Sequence, residues 1–480
     1  MLYALVALAV VGLLAGVHWY LWRRLVRDTT ARGGRARRAG AVAAVVLPLI
    51  SVGALVSGRA GAPFAVQRAL AWPGYLWLAL VLYLTLALLA GEAIRPLLRR
   101  WLERRDAARS APPVTAARPA GVPAERTPVA VGTLNEAGDA VKAGGARKAD
   151  PAGEANKADP VGEANETDPA GEASKTDPAG QTVETGDTGE PPAAVAADAA
   201  TAAPAPPSRR LFVARTVAVG AAAVAAGTVG YGTYTVMRGP RLKRVTVPLA
   251  KLPRRAHGFR IAVVSDIHLG PILGRAHTRR VVETINRTSP DLIAVVGDLV
   301  DGSVEDLGPA AEPLRALRAR HGSYFVTGNH EYYSGAREWV DHVRELGLRP
   351  LENERAELGG FDLAGVNDVA GEDEGQGPDF EAALGDRDPA RACVLLAHQP
   401  VVIHDAVDHG VDLQLSGHTH GGQMWPGNYV AELANPTAAG LDRYGDTQLY
   451  VTRGAGAWGP PVRVGAPPDV TVVELAATRA

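Results

Sequence analysis

The chain has 480 residues, enough for two to four domains of ordinary size, and 47% of them are hydrophobic while only 5% are aromatic. Lys+Arg 50 against Asp+Glu 51 leaves a net charge of -1, so no basic excess points to nucleic acid and no nucleic-acid partner is expected. The one cysteine, Cys393, excludes a disulfide-stapled fold, cysteine zinc fingers and iron–sulfur clusters; inside an apolar run, it reads as a small core residue.

Three uncharged apolar runs open the chain, at 2–22, 39–57 and 69–91. Each is near the ~20 residues that cross a hydrocarbon core. Arginines follow the first run rather than precede it, which reads as an anchor instead of a cleaved leader. The stretch 23–38 carries seven arginines, the loop 58–68 only Arg59 and Arg68, and the segment after the third run is basic again from Arg95 to Arg105. The positive-inside rule then puts the N-terminus outside and returns the chain to the cytoplasm after the third helix, so residues 1–105 form three transmembrane helices.

Residues 106–207 change to Ala, Pro, Gly, Glu, Asp and Thr, with a nine-residue repeat containing Asp-Pro-x-Gly from Lys148 onward. Such a composition cannot bury enough surface to order itself and predicts a disordered linker. At 208–238, Ser208-Arg209-Arg210-Leu211-Phe212 opens a fourth apolar run. It reads either as a twin-arginine-like export segment or as a plain fourth transmembrane helix, and both place residues 239–480 on the outer face.

From 239 onward, short β-rich runs alternate with helical ones, which predicts an α/β domain. Strands are expected at 260–265, 291–296, 323–327, 392–397, 411–416, 448–452 and 469–475, and helices at 279–286, 335–346 and 401–409. The chemistry lies in the residues just after the strands. Asp266-Ile-His268 comes after the first, Gly297-Asp298-Leu-Val-Asp301 after the second, Gly328-Asn329-His330-Glu331 after the third, His398 after the fourth and Gly417-His418-Thr-His420-Gly-Gly after the fifth. Loops at the carboxyl ends of strands converge on one rim, so these five can surround one point. Oxygen and nitrogen donors without sulfur suit Mn, Fe or Zn, and seven or more donors exceed what one ion needs. Two divalent ions sharing a carboxylate are the economical solution, and such a pair activates a water to hydroxide for attack on phosphorus.

These blocks, in this order over roughly 245–475, resemble the calcineurin-like metallophosphoesterase superfamily, in particular its membrane-associated bacterial branch. The resemblance implies two packed mixed β-sheets flanked by helices, and a hydrolase acting on a phosphomonoester or phosphodiester. It assigns Asp266, His268 and His420 to one metal, Asn329, His398 and His418 to the other, Asp298 as the bridge and His330 as the residue that stabilises the phosphate and protonates the leaving oxygen. Asp301 and Glu331 would accept hydrogen bonds from ligand histidines. His257, His277, His321, His342, His404 and His409 lack flanking glycines and read as surface or packing residues, while Trp425 and Tyr429 would line a cleft or simply pack. The whole reads as a multi-pass bacterial membrane protein with an extracytoplasmic enzyme domain. Two other readings stay open: a pyrophosphohydrolase of lipid-linked nucleotide sugars or lipid phosphates, and a membrane scaffold or sensor without turnover.

Overall fold

The computed structural model describes residues 2–110 and 208–478; the expected linker and its repeats lie outside the described residues. Four long helices precede the sheets: α1 (Leu2–Leu21), α2 (Arg35–Val56), α3 (Phe64–Ser110) and α4 (Arg209–Met237). The last three are long and apolar enough to cross a membrane, and α1 is an uncharged 20-residue helix. Helix α3 outruns its apolar stretch because the Arg- and Glu-rich sequence after Gly91 consists of good helix formers. Pro73 and Pro96 sit inside it, as prolines do in membrane helices whose neighbours re-satisfy the backbone.

Two six-stranded mixed sheets make up the rest. The strands are β1 (Arg241–Leu249), β2 (Phe259–Val264), β3 (Leu292–Val296), β4 (Ser323–Val326), β5 (Arg349–Pro350), β6 (Glu354–Glu357), β7 (Phe361–Gly365), β8 (Ala392–Leu396), β9 (Leu413–Ser416), β10 (Gly440–Tyr444), β11 (Thr447–Val451) and β12 (Asp469–Ala477). The first sheet runs β1-β12-β2-β3-β4-β5 and the second β10-β11-β9-β8-β7-β6. Strands β2 to β5 are mutually parallel, as are β7, β8, β9 and β11. Edge strand β1, unpredicted from sequence, mixes exposed Arg and Lys with apolar residues, includes Pro248 and, among the described residues, pairs only with β12.

Alternation explains why the central strands read as unbroken apolar runs. Ile261, Val263, Leu292, Ala294, Val394 and Leu396 point between the sheets, whereas Ala262, Val264, Ile293 and Val295 point outward under helices. Those helices are α5 (Arg275–Asn286), α6 (Val304–Ala311) and α8 (Ala336–Glu345), while α7 (Asn329–Ser334) follows β4; α9 (Phe380–Leu384) and α10 (Ile403–Asp408) cover the second sheet over Cys393 and Leu395. Cys393 is buried and free, as its sequence context implies. Helix α11 (Gly427–Ala434) stands apart, with no buried residue.

Helix α4 passes into β1 through three residues, and its Gly232 carbonyl accepts from the Arg463 amide at 3.2 Å. A Cβ on Gly232 would come within 2.6 Å of Val462, so only glycine allows this approach. On α3, the Tyr83 hydroxyl donates to the Trp425 carbonyl at 3.0 Å. The helices and the sheet domain thus pack through the loops beside the carboxyl ends of the parallel strands.

Candidate metal centre

Parallel strands β2, β3, β4, β8 and β9 end on one rim, and the residues after them bring all seven expected ligands and His330 together. Three groups of side chains have ligand atoms within 4.8 Å of one another: Asp266, His268 and His420; His268, Asp298 and His330; and Asp298, His398 and His418. Asn329 joins the third group, its Oδ1 lying 3.0 Å from His418 Nδ1. Asp298 belongs to two groups, with Oδ2 at 3.2 Å from His398 Nε2 and 3.7 Å from His268 Nε2.

The backbone is strained where these side chains leave it. Asp266, His268, Asp298, His418 and His420 all have φ between 47° and 71°, a region that side chains other than glycine's rarely occupy. Strain of about 1–3 kcal/mol per residue persists only where surrounding structure enforces it, and it clusters at functional sites. Gly297, at φ 73°, enables part of it, because a Cβ there would lie 2.6 Å from His398 Nδ1. Glu331 supplies more support: its buried carboxylate accepts from the amides of Asp298, Leu299 and Gly328 at 2.9, 2.8 and 2.6 Å. It holds the Asp298 loop rather than a histidine, which corrects the expectation for this residue. Asp301 does face histidines, with Oδ1 at 2.8 Å from His268 Nδ1 and 2.7 Å from His330 Nδ1.

The electrostatics call for cations. Burial disfavours a charged His268, yet Asp301, Asp298 and Asp266 outweigh it and raise its pKa to about 9. His398 is raised well above the usual value against burial by Asp298 and Asp266. Burial would raise Asp298, but His398 and His268 hold it well below the carboxylate range. Burial raises Asp266, and burial with Asp298 pushes Glu331 up to about 7. Conversely, burial and then His398 lower His418 to about 4, and burial and then Arg463 depress His420.

Ring nitrogens meanwhile crowd one another and the carboxylates. His268 Nε2 lies 3.0 Å from His420 Nε2, which is 3.2 Å from Asp266 Oδ1, and the buried His398 Nε2 faces the Asp298 carboxylate at 3.2 Å. Imidazole protons stand where cations would, so the residues fit divalent metal ions that displace those protons.

One element of the centre escaped the sequence reading. Strand β11 is also parallel, so the loop after it joins the same rim and brings in Arg463, a fully buried guanidinium. Arg463 donates to the His420 carbonyl at 2.7 Å and to His420 Nδ1 at 2.8 Å, and twice to the Gly456 carbonyl. This leaves Nε2 as the nitrogen of His420 that faces Asp266. The signal was the glycine-rich stretch Gly454-Ala-Gly-Ala-Trp-Gly-Pro-Pro-Val-Arg463 after an apolar strand. Trp425, one of the two aromatics expected to line a cleft or pack, lines a neighbouring cavity with Arg453 and Glu432, while Tyr429 is exposed.

The model of the calcineurin-like phosphoesterases matches residues 259–422. A transmembrane protein with metallophosphoesterase domain from Danio rerio is 38% identical over 259 residues, covering 51% of this chain and 59% of that protein. An uncharacterized metallophosphoesterase of Helicobacter pylori strain J99 is 36% identical over 272 residues, covering 56% of this chain and 73% of the relative. One from Aquifex aeolicus is 35% identical over 240 residues, 49% of this chain and 91% of the relative. The chain therefore spans only part of the zebrafish protein's length, 59%.

Proposed function

Because the chain belongs to the calcineurin-like metallophosphoesterase family, we propose that it is a membrane-anchored hydrolase that cleaves phosphoesters with two divalent metal ions. The observation that carries this reading is Asp298, whose carboxylate belongs to two separate groups of ligand atoms. Asp266, His268 and His420 would hold one ion, and Asn329, His398 and His418 the other, with Asp298 touching both. The nitrogen and oxygen donors suit Mn, Fe or Zn. When bound, such a pair of ions supplies charge to offset the phosphate and a nucleophilic hydroxide at neutral pH.

The chain's own residues supply the remaining chemistry. His330 Nδ1 is engaged by Asp301, so Nε2 is the free nitrogen of a ring that lines the cavity over the centre. Protonated there, His330 can give Nε2–H to the leaving oxygen, and the Asp301 carboxylate stabilises the imidazolium that does so. Glu331 and Arg463 hold the ligand loops from behind. The test is the full chain in detergent with Mn²⁺, assayed for metal content and for hydrolysis of a phosphomonoester and a phosphodiester. Asp298→Asn should lose both metal equivalents and turnover together. Two retained equivalents would refute the bridge, and a metal-loaded wild type that turns over no phosphoester would be a binding module.

The orientation belongs to the same proposal: a bacterial cell membrane with the sheet domain on the outer face. The loop 58–68, with two arginines against seven in 23–38, contributes to a cavity beside the candidate centre, which supports an orientation with that loop and the domain on the outer face. Cys393 gives a silent background for testing this, since burial pushes its thiol up to about 12. On intact cells a membrane-impermeant thiol reagent should label Gly375→Cys and leave Arg38→Cys untouched; the opposite pattern inverts the orientation.

A further inference from the structure

Two cavities meet at His330, and the membrane-type helices form part of their walls. One, of about 800 Å³, is lined by Asp298, Asn329, His418 and His420 on one side and by Leu82 of α3, Met424 and Val430 on the other. The second, of about 580 Å³, joins His268, Asp301 and His330 to Leu55 of α2 and Tyr75 and Leu78 of α3. Leu55, Leu78 and Leu82 lie within helices that are apolar enough to span a bilayer. A soluble phosphoester has no use for such walls.

Two further features point the same way. Arg59, in the α2–α3 loop, lines both cavities, so its guanidinium stands in the same cavities as the candidate metal ligands. Beside them α11 turns Tyr429, Val430 and Leu433 outward, the last 89% exposed, and Trp425 and Trp458 are half-exposed on the adjoining loops. An exposed apolar helix flanked by tryptophans is what a surface resting in the headgroup layer presents.

We infer that the substrate of this centre is a membrane-resident lipid with a phosphoester headgroup, whose chain lies in the groove between the α2–α3 hairpin and the Trp458–Pro460 loop while Arg59 meets the phosphate. The inference rests on the hydrolase reading and deepens it. It explains why the spans and the metal centre share cavities, since a lipid that slides sideways out of the bilayer keeps its chain in an apolar environment as its headgroup reaches the ligands.

The experiment uses the full chain, loaded with Mn²⁺, in phosphatidylcholine vesicles. Phosphatidic acid and phosphatidylglycerol in the same bilayer, a monoester and a diester, are compared with soluble butyl phosphate and dibutyl phosphate. A phosphatidic acid with a photoreactive diazirine at the end of its acyl chain gives a second readout independent of turnover. The lipid esters should be preferred, and the diazirine should crosslink to residues of α2 and α3. Leu82→Trp, which fills the groove, should lower the lipid-to-soluble ratio by roughly tenfold or more, as expected when several methylenes lose their place, and should abolish the crosslink with metal content intact. Leu55→Trp on the other helix repeats the test if that variant does not fold. Turnover of the soluble esters without lipid turnover or crosslinking overturns the lipid assignment and leaves the hydrolase reading standing. Crosslinking to the hairpin without turnover of any ester overturns the hydrolase reading, and the substrate assignment that rests on it falls with it.

Discussion

Apolar side chains occupy opposite places in the two parts of this molecule. In the sheet domain Val263, Val295 and Leu395 are fully buried between a sheet and its neighbours. In the helices, Leu13 and Leu49 face outward with about two thirds of their surface exposed, 68% and 64%. A domain folding in water cannot leave whole helices apolar on all sides, so the helical part is built for a hydrocarbon surrounding and the sheet domain for an aqueous one. The same residue type therefore carries a different energetic meaning in each part. The candidate metal centre lies at the seam, with its candidate ligands from the sheet domain and part of its cavity walls from the helices.

If chemistry belongs to the sheet domain, the largest effects should come from its rim. His330→Ala should keep both metal equivalents while turnover falls by roughly 10²–10⁴, the range for a lost general acid. The loss should be greater for alkyl esters, whose leaving group needs a proton, than for p-nitrophenyl esters; equal losses with metal intact would reassign His330 to phosphate binding. Next comes the core. Phe361 packs edge-on against Phe259 at 5.0 Å between the sheets, so Phe361→Ala should cost about 3–5 kcal/mol in a denaturation experiment on the detergent-solubilised chain. A cost under 1 kcal/mol would mean that the sheet core is not close-packed.

Arg463→Met tests the seam itself. It removes the donors that orient His420, and metal titration should find one site weakened by about 10–100-fold, the usual consequence of losing such a support. Tighter binding would mean that relief from the guanidinium charge outweighs orientation. The smallest effect belongs to the helices: Leu13→Ala should change stability in detergent by no more than about 0.5 kcal/mol, because its side chain meets no protein core. A cost of several kcal/mol would show that α1 packs against another protein surface and would break the contrast between the two parts.

Much of the centre was legible because its chemistry is local in sequence. Each candidate ligand comes within four residues of a strand end, so Asp266, Asp298, Asn329, His398 and His418 could be placed on one rim from strand order alone. The tilt of Glu331 toward backbone amides was not legible, since only the folded loop shows which donors lie in reach. Arg463 stayed hidden for a related reason: an arginine after a Gly- and Pro-rich loop has no metal-ligand signature, and its role exists only because β11 lies parallel beside β9.

By itself, then, the amino-acid order determined the long apolar helices, the two-faced apolar strands and the donor types of the candidate centre, because hydrophobic periodicity and donor chemistry are properties of short segments. Tertiary structure alone decided what stands across from them. It brings Leu55, Arg59 and Leu82 to a candidate centre whose donor residues lie far later in the chain, from Asp266 to His420. Contacts at that separation arise from packing of whole elements, here glycine-permitted docking of α4 on the 462–464 loop and the Tyr83–Trp425 hydrogen bond, and no local pattern encodes them.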